Sequence, residues 1–265
     1  MSASDRRLRG ILLDIEGTTS SIAFVHEVMF PYVLQHLETY LAHEFDAPQV
    51  QAACAQIARD AGQADLESWA RASGQSLRAT IAAEVRRLMA GDAKATGLKA
   101  LQGLIWQQGF DSGQLQADVF PDVLPAIAAW RQQGLDVRIY SSGSIAAQRL
   151  FFGHVRGAGD CLSLFSGHYD TTSGGKKESD SYRRIAADWG LDPSEILFIS
   201  DVADELLAAR AAGCRVLVSV RPGNAALPPD LDIPQIDSFA AVDTGQPSGT
   251  RPLAGGSGGT PGEGR

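Results

Sequence analysis

An α/β fold is predicted: a parallel sheet with helices on both faces, interrupted near its start by an inserted helical unit. Three observations carry that prediction. Short apolar runs repeatedly end in small polar or acidic residues, helical patterns stand between those runs, and residues 20–117 break the rhythm. A strand-to-strand crossover needs only about a dozen residues, so that interval holds an insertion. The 265 residues are enough to bury a substantial core.

The first run, Ile11-Leu12-Leu13-Asp14-Ile15, reads as a buried strand closed by the turn-like Glu16-Gly17-Thr18-Thr19. The insertion that follows is rich in Ala, Gln, Leu and Arg with little β-branched alternation, which predicts helices over 25–42, 47–61, 77–90 and 99–107. After a helix over 122–133, a second strand, 135–140, runs into Ser141-Ser142-Gly143-Ser144 and a helix over 144–152. A helix over 179–189 precedes a third strand, 196–199, which ends in Ser200-Asp201. The next helix, 203–212, meets Gly213 as a stop, and a fourth strand, 215–219, ends at Arg221-Pro222-Gly223-Asn224. Residues 1–20 and 118–243 thus form the expected core and 21–117 a helical cap. Residues 244–265, with eight Gly and three Pro, are expected to be disordered.

Composition narrows the function. A net charge of −8 makes nucleic acid and anionic lipid poor partners. No stretch reaches the roughly 18 apolar residues of a membrane span, and a signal peptide is not expected. The three cysteines, Cys54, Cys161 and Cys214, are far apart and form no zinc or dithiol spacing, which fits a cytoplasmic protein. The five histidines likewise show no metal-ligand spacing.

In open parallel sheets ligands gather at the carboxyl ends of the strands, where Asp14, Ser141 and Asp201 all fall. Asp14 and Glu16, two apart at a strand end, can turn both carboxyl groups toward one crevice. One can serve as nucleophile on phosphorus, and the other can protonate the leaving oxygen and then activate water. Asp201 adds a third carboxylate, and three such groups together call for a cation; all-oxygen ligands suit Mg²⁺. Ser141, Ser142 and Gly143, between a strand and a helix, can bind phosphate oxygens. Lys176 or Lys177, in a glycine-rich loop, can neutralise phosphate and aspartate. Glu205 can join a metal site, pair with Arg210, or stand in solvent. Each motif alone has a bland reading: a surface turn, a helix cap, a solvated lysine. Their occurrence together on four successive loops has none so simple.

Asp14-Ile15-Glu16-Gly17-Thr18-Thr19, Ser141, Lys176 and Ser200-Asp201-Val202-Ala203-Asp204-Glu205 resemble the four motifs of the haloacid dehalogenase-like phosphohydrolases. Further stretches, Phe30-Pro31-Tyr32, Leu101-Gln102-Gly103-Leu104-Ile105-Trp106, Phe120-Pro121-Asp122-Val123, Lys176 to Tyr182 and Arg221 to Asn224, resemble the enolase-phosphatase family of methionine salvage. That resemblance implies a Rossmann-like core, a helical cap, a bound Mg²⁺ and a monomer. It implies the conversion of 2,3-diketo-5-methylthiopentyl-1-phosphate to the acireductone 1,2-dihydroxy-3-keto-5-methylthiopentene and phosphate. In those roles Asp14 is nucleophile and metal ligand, Glu16 acid-base and part of the metal shell, and Asp201 the remaining ligand. Ser141, Ser142, Gly143 and Lys176 hold the phosphoryl group. Phe24, Phe30, Trp106 and Phe110 are either core or the lining for the methylthio end. A phosphatase of another small ester and, more distantly, a phosphoacceptor signalling domain are the alternatives.

Overall fold

The computed structural model describes residues 6–245. Six strands, β1 (Gly10–Leu13), β2 (Asp136–Tyr140), β3 (Gly167–Tyr169), β4 (Ile196–Ser200), β5 (Arg215–Ser219) and β6 (Gln235–Ile236), form one sheet in the order β3-β2-β1-β4-β5-β6. Every pairing is parallel. Strands in such a sheet are covered on both faces, which is why β1 and β4 are unbroken apolar runs rather than alternating ones. The alternation survives as a choice between two cores. Ile11, Leu13, Leu197 and Ile199 enter one apolar cluster, while Leu12, Ile196 and Phe198 enter the other.

The chain leaves β1 for five helices before it returns: α1 (Phe30–Glu44), preceded by a π-helical segment (Phe24–Met29), α2 (Pro48–Asp60), α3 (Leu66–Ser73), α4 (Leu77–Ala90) and α5 (Thr96–Asp111). Their apolar faces join the cluster that also covers one side of the sheet, through Leu37, Ile57, Val85, Ile105 and Phe110. The sheet is then completed with α6 (Val123–Gln132), α7 (Ile145–Gly153), α8 (Ser179–Trp189) and α9 (Ala203–Ala212). None of the described helices is long and apolar enough to cross a membrane.

Several elements depart from the sequence expectation. Asp14 and Ile15 lie beyond the end of β1, not within it. The edge strands β3 and β6 were not expected; at three and two residues, Gly167-His168-Tyr169 and Gln235-Ile236, they carry almost no β-branched pattern. The eight-residue α3 is too short for a periodic signal, although its ends are marked by Asp65, which accepts from the Ser68 amide, and by left-handed Gly74. The expected continuous helix over 25–42 begins as the π-helical segment. Of the glycine-rich tail, Thr244 is buried and donates to Gln133 Oε1 at 2.8 Å, and residues 246–265 lie outside the described residues.

The two passages between sheet and insert run side by side. Ser20 Oγ donates to the Asp118 carbonyl at 2.6 Å and the Phe120 amide to the Thr19 carbonyl at 3.0 Å. The Arg221 guanidinium grips Asp122 at 3.0 and 2.8 Å and lies over the Phe120 ring, tying the return passage to the end of β5. In the insert, Gly97 on α5 touches the backbone of α2 so closely that a Cβ would stand 2.4 Å from the Ile57 nitrogen. Gly97→Ala is therefore expected to push α5 off α2 and destabilise the protein by about 1–3 kcal/mol, although alanine is the better helix former. Denaturant titration of the variant checks this; a gain in stability would show that the helices separate freely.

Candidate active site

The order β2-β1-β4 reverses direction of growth at β1, and such a switch point leaves a crevice beyond the strand ends. Leu13 pairs with Ile199, so the residues that follow, Asp14 on one strand and Ser200-Asp201 on the other, are neighbours by register. The Asp14 amide donates to the Ile199 carbonyl at 3.1 Å, which extends the ladder one step past the strand.

Three groups contact the Asp14 carboxylate. Its Oδ1 accepts from Lys176 Nζ at 2.7 Å and from the Ile15 amide at 2.8 Å, and its Oδ2 lies 3.1 Å from Ser200 Oγ. Lys176 also reaches Glu205 Oε2 at 2.6 Å, and Ser200 Oγ is 3.0 Å from the same oxygen. Both lysine and carboxylates are nearly withdrawn from water, with side-chain exposures of 7% for Lys176, 5% for Asp14 and 11% for Glu205. Burial opposes the charge on Lys176, but Asp14 and Glu205 outweigh it and hold its pKa above the ordinary value. For Glu205 the balance is reversed: burial and the nearby Asp14 raise its pKa against the pull of Lys176. Glu205 is thus paired with Lys176, not with Arg210 and not in solvent; its place one helical turn after Asp201 aims it back into the crevice. Lys177 points away, exposed, and pairs with Asp204 at 2.8 Å.

Asp201 forms no ion pair among the described residues, although the charge of Lys176 acts on it from nearby. Burial first, and then the Asp14 charge, push its carboxyl up to about 7. It stands against the backbone of Gly17, where a Cβ would be 2.3 Å from Asp201 Oδ2 and where φ is +70°. Both constraints demand glycine after Glu16. Asn224 Nδ2 donates to the Gly17 carbonyl at 2.9 Å and to the Ser219 carbonyl at 3.0 Å, bracing this turn from β5. Glu16 faces outward from the turn and meets His26 Nε2 of the π-helical segment at 3.0 Å. Burial raises the pKa of Glu16 and Asp14 adds to that, while His26 pulls it down.

The loop after β2 forms the third wall. The Ser141 amide donates to the Tyr169 carbonyl at 3.2 Å, and the Gly143 amide lies 3.3 Å from Ser141 Oγ. Buried Gln148 pins this loop to β3, donating through Nε2 to the carbonyls of Gly143 and Tyr169, both at 2.8 Å. Gln148 Oε1 in turn faces His168 Nδ1 at 3.2 Å, and burial keeps that histidine neutral by drawing its pKa down to about 4.

From Glu16 and the Ser141–Ser144 loop a cavity of about 140 Å³ extends under the insert. Its far end is apolar, with Met29, Phe30, Met89, Trp106 and Phe151. Of the four aromatics considered as lining, Phe30 and Trp106 reach the cavity, whereas Phe24 packs edge-on to Phe151 and Phe110 stacks on His154 within the core. Lys99 and Gln102 of α5, Lys94 of the α4–α5 turn, Gln148 and His26 carry no motif that marks them in sequence; helical spacing from Trp106 places Lys99 and Gln102 on one face only once the face is known. Among the described residues no three His, Cys, Asp or Glu side chains stand together as a ready-made metal cage.

A carboxylate-bearing strand end, a hydroxyl loop, a buried lysine and a second acidic strand end define a haloacid dehalogenase-like hydrolase, and that family's model matches residues 8–213. The chain belongs to that family, and within it to the enolase-phosphatases E1. It is 46% identical to the enolase-phosphatase E1 of Pseudomonas aeruginosa (strain UCBPP-PA14) over 89% of this chain and 98% of that protein. The identity to the Drosophila melanogaster enolase-phosphatase E1 is 43%, covering 87% of this chain and 90% of the relative. The crystal structure of the UTR4 protein of Saccharomyces cerevisiae superimposes with a TM-score of 0.73 at 32% identity, covering 89% of this chain and all of that one. A haloacid dehalogenase-type phosphatase from Thermococcus onnurineus shares the fold at a TM-score of 0.54 and 16% identity.

The raised carboxyl of Asp201 has a measurable consequence. An acid whose pKa is higher in the folded than in the unfolded chain binds extra protons when folded, so its contribution to stability is lost as pH climbs from about 4 to about 7. Glu16 and Glu205 shift in the same direction. The metal-free protein is expected to melt at lower temperature at pH 7.5 than at pH 5.5, and Asp201→Asn to flatten that slope; a steeper decline in the variant would contradict the assignment. Thermal melts in chelator at both pH values provide the check.

Proposed function

We propose that this chain is the bifunctional enolase-phosphatase of methionine salvage. It enolises 2,3-diketo-5-methylthiopentyl-1-phosphate and then hydrolyses the phosphate, releasing the acireductone 1,2-dihydroxy-3-keto-5-methylthiopentene. The observation that carries this reading is one cavity that runs from Ile15 and Glu16, the residues that follow Asp14, and the Ser141 loop to an apolar end at Met29, Phe30 and Trp106. A phosphorylated head and a methylthio tail fit the two ends. The nearly full-length identity to enolase-phosphatases of bacteria and insects supports the same reaction.

Asp14 is the nucleophile. Lys176 and the Ile15 amide orient its Oδ1, which fixes the carboxylate at the strand end. Attack on phosphorus yields an aspartyl phosphate and expels the enol, with Glu16 protonating the leaving oxygen. Glu16 suits that role because burial raises its pKa. The same carboxylate then draws a proton from the water that cleaves the acyl phosphate. Ser141, Ser142 and the Gly143 amide hold the phosphoryl oxygens at the start of α7, and Lys176 offsets their charge.

The donor set fits Mg²⁺. Asp201 is a carboxyl oxygen ligand that forms no ion pair among the described residues and stands against a glycine, and Asp14 adjoins it. Asp14 and Asp201 would hold the ion with Glu16 completing its surroundings; an ion held by two carboxylates, waters and substrate needs no closed cage. When bound, Mg²⁺ stabilises charge on phosphoryl and carbonyl oxygens. Residues 21–117 act as the cap that excludes water, and 1–20 with 118–243 as the catalytic core.

Asp14→Asn is expected to fold normally and to lose phosphate release from the diketone phosphate by at least ~1000-fold. Purified wild-type and variant enzyme, assayed with Mg²⁺ for phosphate and for the ultraviolet absorption of the acireductone, decide it. Undiminished turnover in the variant would remove Asp14 from the role of nucleophile, and phosphate release without acireductone absorption would reduce the enzyme to a simple phosphatase.

A further inference from the structure

Two cations line the cavity among the described residues, Lys94 and Lys99, and both come from the insert. They are not equivalent. Lys94 Nζ lies 2.7 Å from Asp92 and is locally neutralised. Lys99, in the first turn of α5, has no carboxylate within ion-pair distance among the described residues; its Nζ donates to the Ser142 carbonyl at 3.2 Å. An ammonium carries three N–H donors, so that single long bond leaves two for a ligand.

The position of Lys99 is specific. It touches the loop that receives the phosphoryl group, one residue from Ser141, yet belongs to the opposite wall of the cavity. A diketone phosphate seated with its phosphate at Ser141 and its thioether among Met29, Phe30 and Trp106 must carry its carbonyl groups past this point. The C2 carbonyl is separated from the phosphate by only the ester oxygen and C1. On the reading of the substrate given above, we propose that Lys99 is a catalytic residue of enolisation: it donates a hydrogen bond to the C2 carbonyl oxygen and holds the negative charge that collects there.

In that step the C1–H bond breaks and its proton passes to a carboxylate lining the cavity, where Glu16 and Asp92 are those available. The bonding pair becomes the C1=C2 double bond, and the carbonyl π pair moves onto oxygen. Protonation of that oxygen completes a keto–enol isomerisation, with nothing oxidised or reduced. The enolate adds a negative charge near Glu16, and an ammonium held at the cavity wall, aimed at the oxygen where that charge collects, stabilises it. Lys99 is fixed by a sixteen-residue helix whose Gly97 is in backbone contact with α2.

The test compares wild type, Lys99→Gln and Lys99→Arg on the diketone phosphate with Mg²⁺, using substrate carrying either hydrogen or deuterium at C1. Phosphate release by Lys99→Gln is expected to fall ~100-fold, the cost of losing one such donor. Its deuterium isotope effect should rise above that of wild type, because removal of the C1 proton has become rate-limiting, and Lys99→Arg should recover part of the rate. A slower variant with an unchanged isotope effect would overturn the proposal and assign Lys99 to the phosphoryl group or the loop. An unslowed variant would overturn it outright. A wild-type enzyme that does not enolise the diketone defeats the substrate reading itself, an outcome visible before any variant is compared.

Discussion

One buried ammonium holds the site together. Lys176 lies between Asp14 and Glu205, and without it two buried carboxylates would stand together beyond the strand ends with no ammonium between them. Leaving a charge buried and unpaired costs several kcal/mol, so this lysine is as much a condition of the fold as of the chemistry. Its delivery is secured from the far core: Tyr182 Oη donates to the Lys176 carbonyl at 2.6 Å and Tyr140 Oη to the Gly174 carbonyl at 2.9 Å. Gly174, at φ +121° with Ser181 and Arg184 pressed against it, gives the loop the bend that points Lys176 inward.

The same sheet order that creates the crevice explains why the chain interrupts itself after β1. An insertion at that strand end emerges directly over the carboxylates and need not rebuild the sheet. One side of the cavity comes from loops that follow strands, through Ile15, Glu16 and Ser141 to Ser144, whereas much of the rest comes from the insert, through Met29, Phe30, Met89, Lys99 and Trp106. Rigid strand ends suit groups that must hold their geometry to within tenths of an ångström. A helical wall joined through two adjacent passages, at Thr19 to Ser20 and Asp118 to Phe120, suits the part that recognises the remainder of the molecule. Arg221 and Asn224 give their motif a mechanical meaning, since one grips the return passage and the other the turn after Glu16.

Much of this was legible in the residues. The apolar runs that became β1, β2, β4 and β5 each end at a chemically distinctive group, and the excess length between residues 20 and 117 announced an inserted unit. Sequence patterns failed where elements are short or where a side chain acts across the fold. β3 is too brief to show alternation, and α3 is visible only by its caps. Gln148 reads as one more polar residue on an amphipathic helix, although it pins the loop of Ser141 to Ser144 against β3. Glu205 offered three partners in sequence, and only the approach of a loop 29 positions earlier in the chain selects Lys176.

By itself the sequence determined the alternation of strand and helix, the carboxylates and hydroxyls available at strand ends, and the presence of the helical insertion. These follow from local periodicity and turn chemistry, which need no knowledge of distant neighbours. Tertiary structure alone decided which charges neutralise one another, which aromatics line the cavity and which merely fill the core, and that Lys99 confronts the loop holding Ser141. Burial and contact set those outcomes. Both arise when segments far apart along the chain exclude water together, and nothing in the local order of residues encodes which segments those will be.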